Sequence, residues 1–442
     1  MSQKTIYYSI VASLSGFLFG FDTVVISGAN LPIKELWGTS DWFHGLTIMS
    51  VALWGTLIGA VLGSIPCDKI GRKSTLFWIG VLYFVSAIGT ALATDPLIFS
   101  GYRFLGGLAI GTATIAAPTY ITEIAPYQYR GKLVGLFQIN IVVGILSAYV
   151  SNYLLTGFGG NNDWRFMLGV EAIPALLFLV LVSNIPESPR WLIIKKNEVE
   201  KGLAILARMF EIGSNSPQKI LLNIRNEQLD RESEHPTLRP TKNAFILAFF
   251  MAFFNQASGI NFILYYAPEI MERAGLATEE SLLGTVFIGG ANLVFTIWGI
   301  SLIDKMGRKH LMLIGSIGYL LSLSMISYGF FALSSPVFNL MGFLLFIASH
   351  AIGQGSVIWV FIAEIFPNRL RAKGQSFGAG VHWAMAAMIT LIGPNLIQAV
   401  PEWQIFSIFL VFMGLQCLYV LLLMPETKGK PLEIIQLKSQ LN

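Results

Sequence analysis

The hexapeptide Asp68-Lys-Ile-Gly-Arg-Lys73 decides the architecture of this chain, because it recurs as Asp304-Lys-Met-Gly-Arg-Lys309. Two other motifs recur in the same order and at nearly the same separation: Glu123-Ile-Ala-Pro126 as Glu364-Ile-Phe-Pro367, and Pro186-Glu187 as Pro425-Glu426. Three landmarks with a nearly constant offset indicate an internal duplication. The sequence therefore predicts two structurally equivalent halves.

The composition indicates that these halves lie in a membrane. Of the 442 residues, 54% are hydrophobic and only 12% are charged, about half the charged share of a soluble domain. Apolar runs of roughly 20 residues, the length that crosses a bilayer, recur along the whole chain. The predicted spans are residues 6–30, 43–67, 75–94, 97–121, 133–156, 165–185, 243–271, 281–303, 310–333, 337–363, 375–399 and 403–424. The predicted fold is an all-α membrane protein with twelve transmembrane helices, six in each half.

One polar stretch, from Pro186 to Pro240, separates the two sets of spans. Its segment 198–212 has apolar residues at helical spacing, which predicts short amphipathic helices. They either rest on the membrane surface or form a solvated linker. The predicted organisation is a first half at 1–190, a cytoplasmic helical linker at 191–242, a second half at 243–425 and a cytoplasmic tail at 426–442.

The positive charges predict the orientation of the chain. Lys34, Arg165 and Arg273 fall in loops on one side of the predicted spans and Arg103 falls inside a span, whereas the other lysines and arginines lie on the other side. Positively charged loops stay in the cytoplasm. The sequence therefore predicts a multi-pass protein of the cell inner (plasma) membrane with both termini cytoplasmic.

The repeated motifs place opposite charges on the cytoplasmic face of both halves. The residues concerned are Asp68, Arg72, Glu123 and Arg130 in the first half, and Asp304, Arg308, Glu364 and Arg371 in the second. These charges either mark the topology or form a latch that holds spans together in an outward-open state and releases them in an inward-open one.

Three charged residues lie deep inside predicted spans, and all three belong to the first half: Asp22, Arg103 and Glu171. An unpaired charge is costly at the centre of a bilayer, so each is a functional candidate. Protonation of a carboxylate that faces an arginine abolishes their attraction, so such a pair can respond to a proton gradient. The alternative is a permanent structural ion pair.

Intramembrane amides and tryptophans point to a polyol ligand, because a sugar needs groups that donate and accept hydrogen bonds and rings that cover its apolar faces. The candidates are Gln138, Asn255, Gln256, Asn261, Asn292, Trp359 and Trp383. The Ser258-Gly259 pair among them predicts a bend in the span. Each amide alone can instead join two helices. His350 and His382 receive no predicted role.

Taken together, the motifs resemble the sugar porter family of the major facilitator superfamily over essentially the whole chain. The resemblance rests on the two hexapeptides and on 102–107, 123–132, 186–192, 256–261 and 425–429. It implies that the amides and tryptophans named above contact a sugar, and that Asp22, Arg103 and Glu171 couple its transport to a proton. Facilitators of the family carry asparagine where this chain has Asp22, so the resemblance favours symport.

The chain departs from the family pattern at two positions. Asn255 stands where the family often has a glutamine, and Ala351 stands where the facilitators have a glutamate. The first difference shortens one expected contact with the sugar and leaves the identity of the sugar open.

The predicted function is therefore a proton-coupled monosaccharide symporter that imports a pentose or hexose by alternating access. A facilitative uniporter is the first alternative, and a membrane sugar sensor is disfavoured by the short tail after Pro425. No catalytic or metal-ligand cluster is visible, so we expect neither an enzyme nor a cofactor. The expected partners are the monosaccharide, the proton and the lipid bilayer, with no nucleic acid, and the expected state is a monomer.

Overall fold

The computed structural model describes residues 2–209, 221–222 and 242–429. Twelve helical segments within this part of the chain are long and apolar enough to cross a membrane, which confirms the predicted number. We number them spans 1 to 12: Gln3–Trp37, Asp41–Leu62, Arg72–Leu92, Pro96–Ile124, Arg130–Leu155, Gly160–Ser183, Lys242–Arg273, Thr278–Met306, Arg308–Phe331, Pro336–Ile365, Leu370–Ala399 and Glu402–Leu422.

Several helices extend beyond the limits predicted from the sequence. Span 1 continues to Trp37, so Lys34 lies in its last turn. Arg165 lies in the helix Asp163–Gly169, and Arg273 is the last residue of the helix Ile260–Arg273. The placement of these three residues in loops was wrong. The physical reason is that a helix can continue past the hydrocarbon core with charged residues in its end turns.

Four spans are interrupted, spans 6, 7 and 10 near their middle and span 2 near its start. Span 7 consists of Lys242–Ala257 and Ile260–Arg273, and Gly259 between them has the left-handed φ of 86°. The bend predicted at this position is therefore present. Spans 2 and 10 contain wide turns of π-helix at Gly45–Met49 and Ala351–Gly355. Interruptions of this kind leave backbone and side chains free to line an internal site.

The interruption in span 6 places an acidic residue. The helix Asp163–Gly169 ends before Val170 and Glu171, and the next helix is Ala172–Ser183. Pro174 has no N–H to donate to the carbonyl of Val170, which instead accepts from Ile173 at 3.1 Å. Glu171 is therefore held at a break between two helices.

Two short helices follow span 6. Pro189–Ile194 begins after Ser188, whose hydroxyl accepts a hydrogen bond from the Trp191 N–H at 3.3 Å. Val199–Met209 packs on it, with Gly202 against Ile193. The second helix confirms the start of the predicted amphipathic segment. The remainder of the predicted linker to residue 241, apart from 221–222, and the tail from residue 430 lie outside the described residues.

The described chain begins and ends on one face of the bundle, which we call the terminal face, and the other end is the opposite face. The two halves meet closely towards the opposite face. A Cβ atom on Gly45 of span 2 would lie 2.0 Å from the carbonyl oxygen of Leu391 in span 11. The Tyr149 hydroxyl of span 5 donates to the Leu264 carbonyl of span 7 at 2.8 Å. The bundle is therefore closed at its opposite face.

Candidate functional site

The three predicted intramembrane charges lie together inside the first half. Span 1 carries Asp22, span 4 carries Arg103, and the break in span 6 carries Glu171. The guanidinium of Arg103 donates from Nη1 to Asp22 Oδ1 and from Nη2 to the Asp22 carbonyl at 3.0 Å. Glu171 is close enough to both residues to interact electrostatically. The three side chains are 1 to 2% exposed, so the charges must be balanced by one another rather than by water.

This cluster is not fully satisfied by hydrogen bonds. Asp22 Oδ2, Arg103 Nε and Glu171 Oε1 are buried and have no hydrogen-bond partner. Two carboxylates beside one arginine leave one negative charge without an opposite partner when both are ionised. The arrangement can therefore take up or release a proton at the centre of the first half.

The predicted amides of span 7 lie in a second cluster, within the other half. Asn255 Nδ2 donates to Gln354 Oε1 at 3.1 Å, and Gln256 Nε2 donates to Asn255 Oδ1 at 2.9 Å. Gln256 Nε2 also lies 3.2 Å from His382 Nε2. The left-handed turn at Gly259 ends the helix that carries these amides. The bonds join spans 7, 10 and 11 around one polar centre.

Aromatic rings border this polar centre. The imidazole of His382 lies 5.1 Å from the ring of Trp359 and 4.7 Å from that of Trp383. The Trp383 ring also contacts Phe19 of span 1, at 5.7 Å between centroids, so the first half contributes to the same aromatic border. Amides beside aromatic faces are the groups that a sugar ring requires.

Further amides have hydrogen-bonding capacity that the protein leaves unused. Gln256 Oε1, Gln354 Nε2 and Asn261 Nδ2 are buried without partners. Asn292 accepts only a long bond from Thr296, at 3.4 Å. Gln138 is half-buried on span 5. Buried amides in proteins are usually satisfied, so unused donors and an unused acceptor in one region favour a polar ligand.

Gln354 and His382 were missed or set aside in the sequence analysis. Gln354 belongs to the wide turn Ala351–Gly355 of span 10, where the irregular backbone turns the amide towards Asn255. Gln354 could have been predicted by the same criterion as the other candidates, because it is an amide residue within an apolar run. His350 instead pairs with Tyr319, with 2.5 Å between Nδ1 and the hydroxyl oxygen.

The repeated motifs form equivalent clusters at the terminal face. Arg72 Nη2 lies 2.9 Å from Glu123 Oε1 and its Nη1 lies 3.2 Å from Asp68 Oδ1. In the second half, Arg308 lies 2.7 Å from Glu364 and 3.2 Å from Asp304. The pairs of Arg72 join spans 3 and 4 to the short helix Ser64–Ile70 that follows span 2, and the pairs of Arg308 join spans 8, 9 and 10. Each pair lies within one half.

The other two predicted arginines are placed differently. Arg130 Nε donates to the Ala125 carbonyl at 3.4 Å, within the connection between spans 4 and 5. Arg371 lies in the first turn of span 11, and its buried Nε has no hydrogen-bond partner.

The repeated Pro-Glu pairs have a structural role that the sequence did not reveal. Glu187 Oε1 accepts the backbone N–H groups of Arg72 and Lys73 at 2.9 and 3.0 Å. Glu426 accepts those of Arg308 and Lys309, both at 3.0 Å. Burial raises the pKa of the Glu426 carboxyl, but the backbone N–H donors outweigh it and hold this pKa below the ordinary value. Each glutamate caps the first turn of span 3 or span 9.

A network not foreseen from the sequence closes the opposite face. Asn30 of span 1 donates from Nδ2 to Glu269 Oε2 of span 7 at 2.9 Å. His44 of span 2 donates from Nε2 to Asn30 Oδ1, also at 2.9 Å, and its Nδ1 lies 2.9 Å from the Thr39 hydroxyl. The first bond joins the two halves. Asn30 and His44 lay at the ends of the predicted spans, so neither was counted as intramembrane.

Comparisons with known proteins show the family of the chain and confirm its fold. The family described as "Sugar (and other) transporter" matches residues 8–438. The arabinose-proton symporter of Bacillus subtilis is 35% identical, over 98% of this chain and 94% of its own. The D-xylose-proton symporter of Escherichia coli K12 is 33% identical, over 97% and 94%. The inward-open conformation of the E. coli xylose transporter XylE superposes with a TM-score of 0.87 at 30% identity, covering 98% of this chain and 99% of that one.

Proposed function

Because the chain belongs to the sugar transporter family, we propose that it is a proton-coupled symporter that imports a pentose or hexose by alternating access. The observation that carries the proposal is the buried Asp22–Arg103 pair with Glu171 beside it. A uniporter has no need of a buried carboxylate facing an arginine in its core. Relatives at about a third identity are named proton symporters of arabinose and xylose.

The sugar would bind between the halves, beside the interruption in span 7. Asn255, Gln256, Asn261 and Asn292 would bind its hydroxyl groups, together with Gln138 from span 5. Trp359 and Trp383 would cover its apolar faces. The unpartnered atoms Gln256 Oε1 and Asn261 Nδ2 support this assignment, because a sugar hydroxyl can donate to the first and accept from the second.

Asp22 would carry the proton, with Glu171 tuning it. Protonation of Asp22 removes the charge that holds Arg103, so the guanidinium becomes free to seek another acceptor. The positions of Arg103 and its neighbours would then differ between the loaded and unloaded states. A protonation-dependent change of this kind lets a proton gradient bias the exchange between the two open forms.

We infer that the terminal face is cytoplasmic, because it carries most of the lysines and arginines. In that orientation the present structure, which is closed at the opposite face, is the form that releases sugar to the cytoplasm. The pairs of Arg72 with Asp68 and Glu123, and their repeats in the second half, are formed in this structure, so the latch would remain engaged in the form that releases sugar and would not open there as the sequence predicted. Since each pair lies within one half here, the latch would hold neighbouring spans of that half together. Replacing Asp68 should therefore alter transport cycling.

The decisive experiment is sugar-driven proton movement. The protein is expressed in de-energised cells, and the pH of a weakly buffered medium is recorded when sugar is added. A symporter makes the medium more alkaline, whereas a uniporter leaves it unchanged while sugar still enters. Competition among xylose, arabinose, glucose and galactose for uptake identifies the preferred sugar. Entry without alkalinisation for every sugar that competes would replace symport by uniport.

A further inference from the structure

Tyr265 lies in the second half, but its hydroxyl belongs to no hydrogen bond there. It follows Asn261 by one helical turn on the segment Ile260–Arg273, beyond the left-handed residue Gly259. The side chain is fully buried, and its hydroxyl has no hydrogen-bond partner. A buried phenol hydroxyl is usually hydrogen-bonded. The unpartnered hydroxyl of Tyr265 therefore suggests that the transporter has another conformation in which this hydroxyl forms a hydrogen bond.

The helix that carries Tyr265 packs against span 1, the span that carries Asp22. The Tyr265 side chain is close enough to Asp22 and Arg103 to interact electrostatically with both. The residue before it is tied to the first half as well, because the Leu264 carbonyl accepts from the Tyr149 hydroxyl at 2.8 Å. Span 7 therefore brings one unpartnered hydroxyl to the place where Asp22 Oδ2 and Arg103 Nε are also unpartnered.

The neighbouring tyrosine is different. Tyr266 is equally buried, but its hydroxyl donates to the Thr390 carbonyl of span 11 at 2.6 Å. This bond lies within the second half. Two consecutive tyrosines thus have the same burial and opposite hydrogen-bonding states, and Asp22 and Arg103 interact electrostatically with Tyr265 but not with Tyr266. Tyr266 is a matched control.

We propose that Tyr265 is a positioning residue that transmits the protonation state of Asp22 to the sugar-binding span 7. This inference rests on the proposed function. In the present state the Asp22 carboxylate holds Arg103, and the Tyr265 hydroxyl stays unpartnered. Once Asp22 accepts a proton, the guanidinium loses its charged acceptor, and an Arg103 N–H donates to the Tyr265 oxygen instead. That bond crosses from the first half to the second.

The consequence is that Tyr265 links span 7 to Arg103 by a hydrogen bond when Asp22 is protonated. This hydrogen bond is absent when Asp22 is ionised. The groups that face Asp22 are Arg103 of span 4, Glu171 of span 6, Tyr83 of span 3 and Tyr265 of span 7. Tyr265 is the member of this set that belongs to the second half. It also lies one turn from Asn261, so sugar and proton would act on the same short helix.

The test compares Tyr265→Phe with Tyr266→Phe in proteoliposomes. The substrate is the sugar that competed best among xylose, arabinose, glucose and galactose. Two quantities are measured: sugar counterflow, which needs no proton gradient, and protons moved per sugar. We expect Tyr265→Phe to keep counterflow within about twofold of wild type and to lose at least about fivefold in protons per sugar, with a flattened pH profile of uptake. Tyr266→Phe should keep the wild-type ratio.

Three outcomes would overturn the inference. If Tyr265→Phe moves as many protons per sugar as wild type, the hydroxyl transmits nothing. If Tyr265→Phe loses counterflow together with coupling, the hydroxyl serves sugar movement itself. If Tyr266→Phe loses coupling to the same extent, the effect belongs to packing of span 7. A wild-type protein that carries sugar without protons would instead refute the proposed function, and the inference would fall with it.

Discussion

Replacing Gly259 by alanine should destabilise the protein and disturb span 7, because two independent features of the structure require glycine there. Its φ of 86° and ψ of 13° lie in the left-handed region. An ideal Cβ at this position would also lie 2.7 Å from two ring atoms of Phe409. The Phe409 ring cannot move away easily, since it is 6% exposed and packs on Phe262 with 5.6 Å between centroids.

The expected magnitude follows from these two features. The left-handed conformation costs an alanine about 1–2 kcal/mol relative to glycine. Forcing a methyl group into a packed core costs about 1–3 kcal/mol more. The sum is a loss of about 2–5 kcal/mol in the free energy of unfolding. Adding Phe409→Leu should recover part of the packing cost and none of the backbone cost.

The assay is unfolding by SDS titration of purified protein, followed by tryptophan fluorescence, with sugar counterflow measured in parallel. Gly414→Ala is the control, because it lies on span 12 like Phe409 and no heavy atom lies within 4 Å of its added Cβ. In a helix, this change should be neutral or stabilising by up to about 1 kcal/mol. If Gly259→Ala unfolds at the same SDS concentration as Gly414→Ala, the argument from φ and Phe409 is wrong.

Three other predictions concern charged groups. Asp22→Asn cannot be protonated, so uphill sugar accumulation should be abolished while sugar exchange persists, as measured in energised and de-energised vesicles. Glu269→Leu removes the hydrogen-bond acceptor of Asn30, whereas Glu269→Gln keeps one. The opposite face should therefore open more often in Glu269→Leu than in Glu269→Gln. Spin labels on the opposite-face ends of spans 1 and 9 measure the separation of these ends. Because the folded pKa of Glu426 is lowered, the stability it contributes is present at neutral pH and is lost as the pH falls below about 4.3. Thermal melts of Glu426→Gln should therefore show less acid destabilisation than wild type.

Each of these predictions has an outcome that contradicts it. Persistent uphill accumulation by Asp22→Asn would remove that residue from proton coupling. Equal spin-label distances in Glu269→Leu and wild type would mean that the bond to Asn30 does not help to close the opposite face. Parallel melting curves for wild type and Glu426→Gln between neutral and acidic pH would mean that the bonds to the N–H groups of span 9 contribute no net stability.

The features that the sequence could predict are those imposed by the bilayer. Apolar runs of sufficient length define spans, and a repeated motif defines two halves. A buried arginine must find a carboxylate, so the proximity of Asp22 and Arg103 followed from the cost of unpaired charge. The bend at Gly259 followed from the weakness of a Ser-Gly pair inside a helix.

Other features depend on which faces of distant helices meet, and the sequence carries no local signal for that. Gln354 joins Asn255 because it lies in the wide turn of span 10, and His382 joins Gln256 because span 11 packs against the first helix of span 7. The bond between Asn30 and Glu269 depends on the extension of span 1 beyond the hydrocarbon length. The role of Glu187 as a cap depends on the return of the chain to span 3 after span 6.

The seal at the opposite face also has a thermodynamic consequence. Part of it consists of close packing, with Gly45 of span 2 against the Leu391 carbonyl and the Pro394 ring of span 11. Opening that seal exposes apolar surface to water, and such exposure raises the heat capacity. Where this exposed area exceeds the area that closing the terminal face buries, the equilibrium between the two open forms varies with temperature along a curve rather than a straight van't Hoff line. Temperature would then shift the balance between the two facing directions, as loading does.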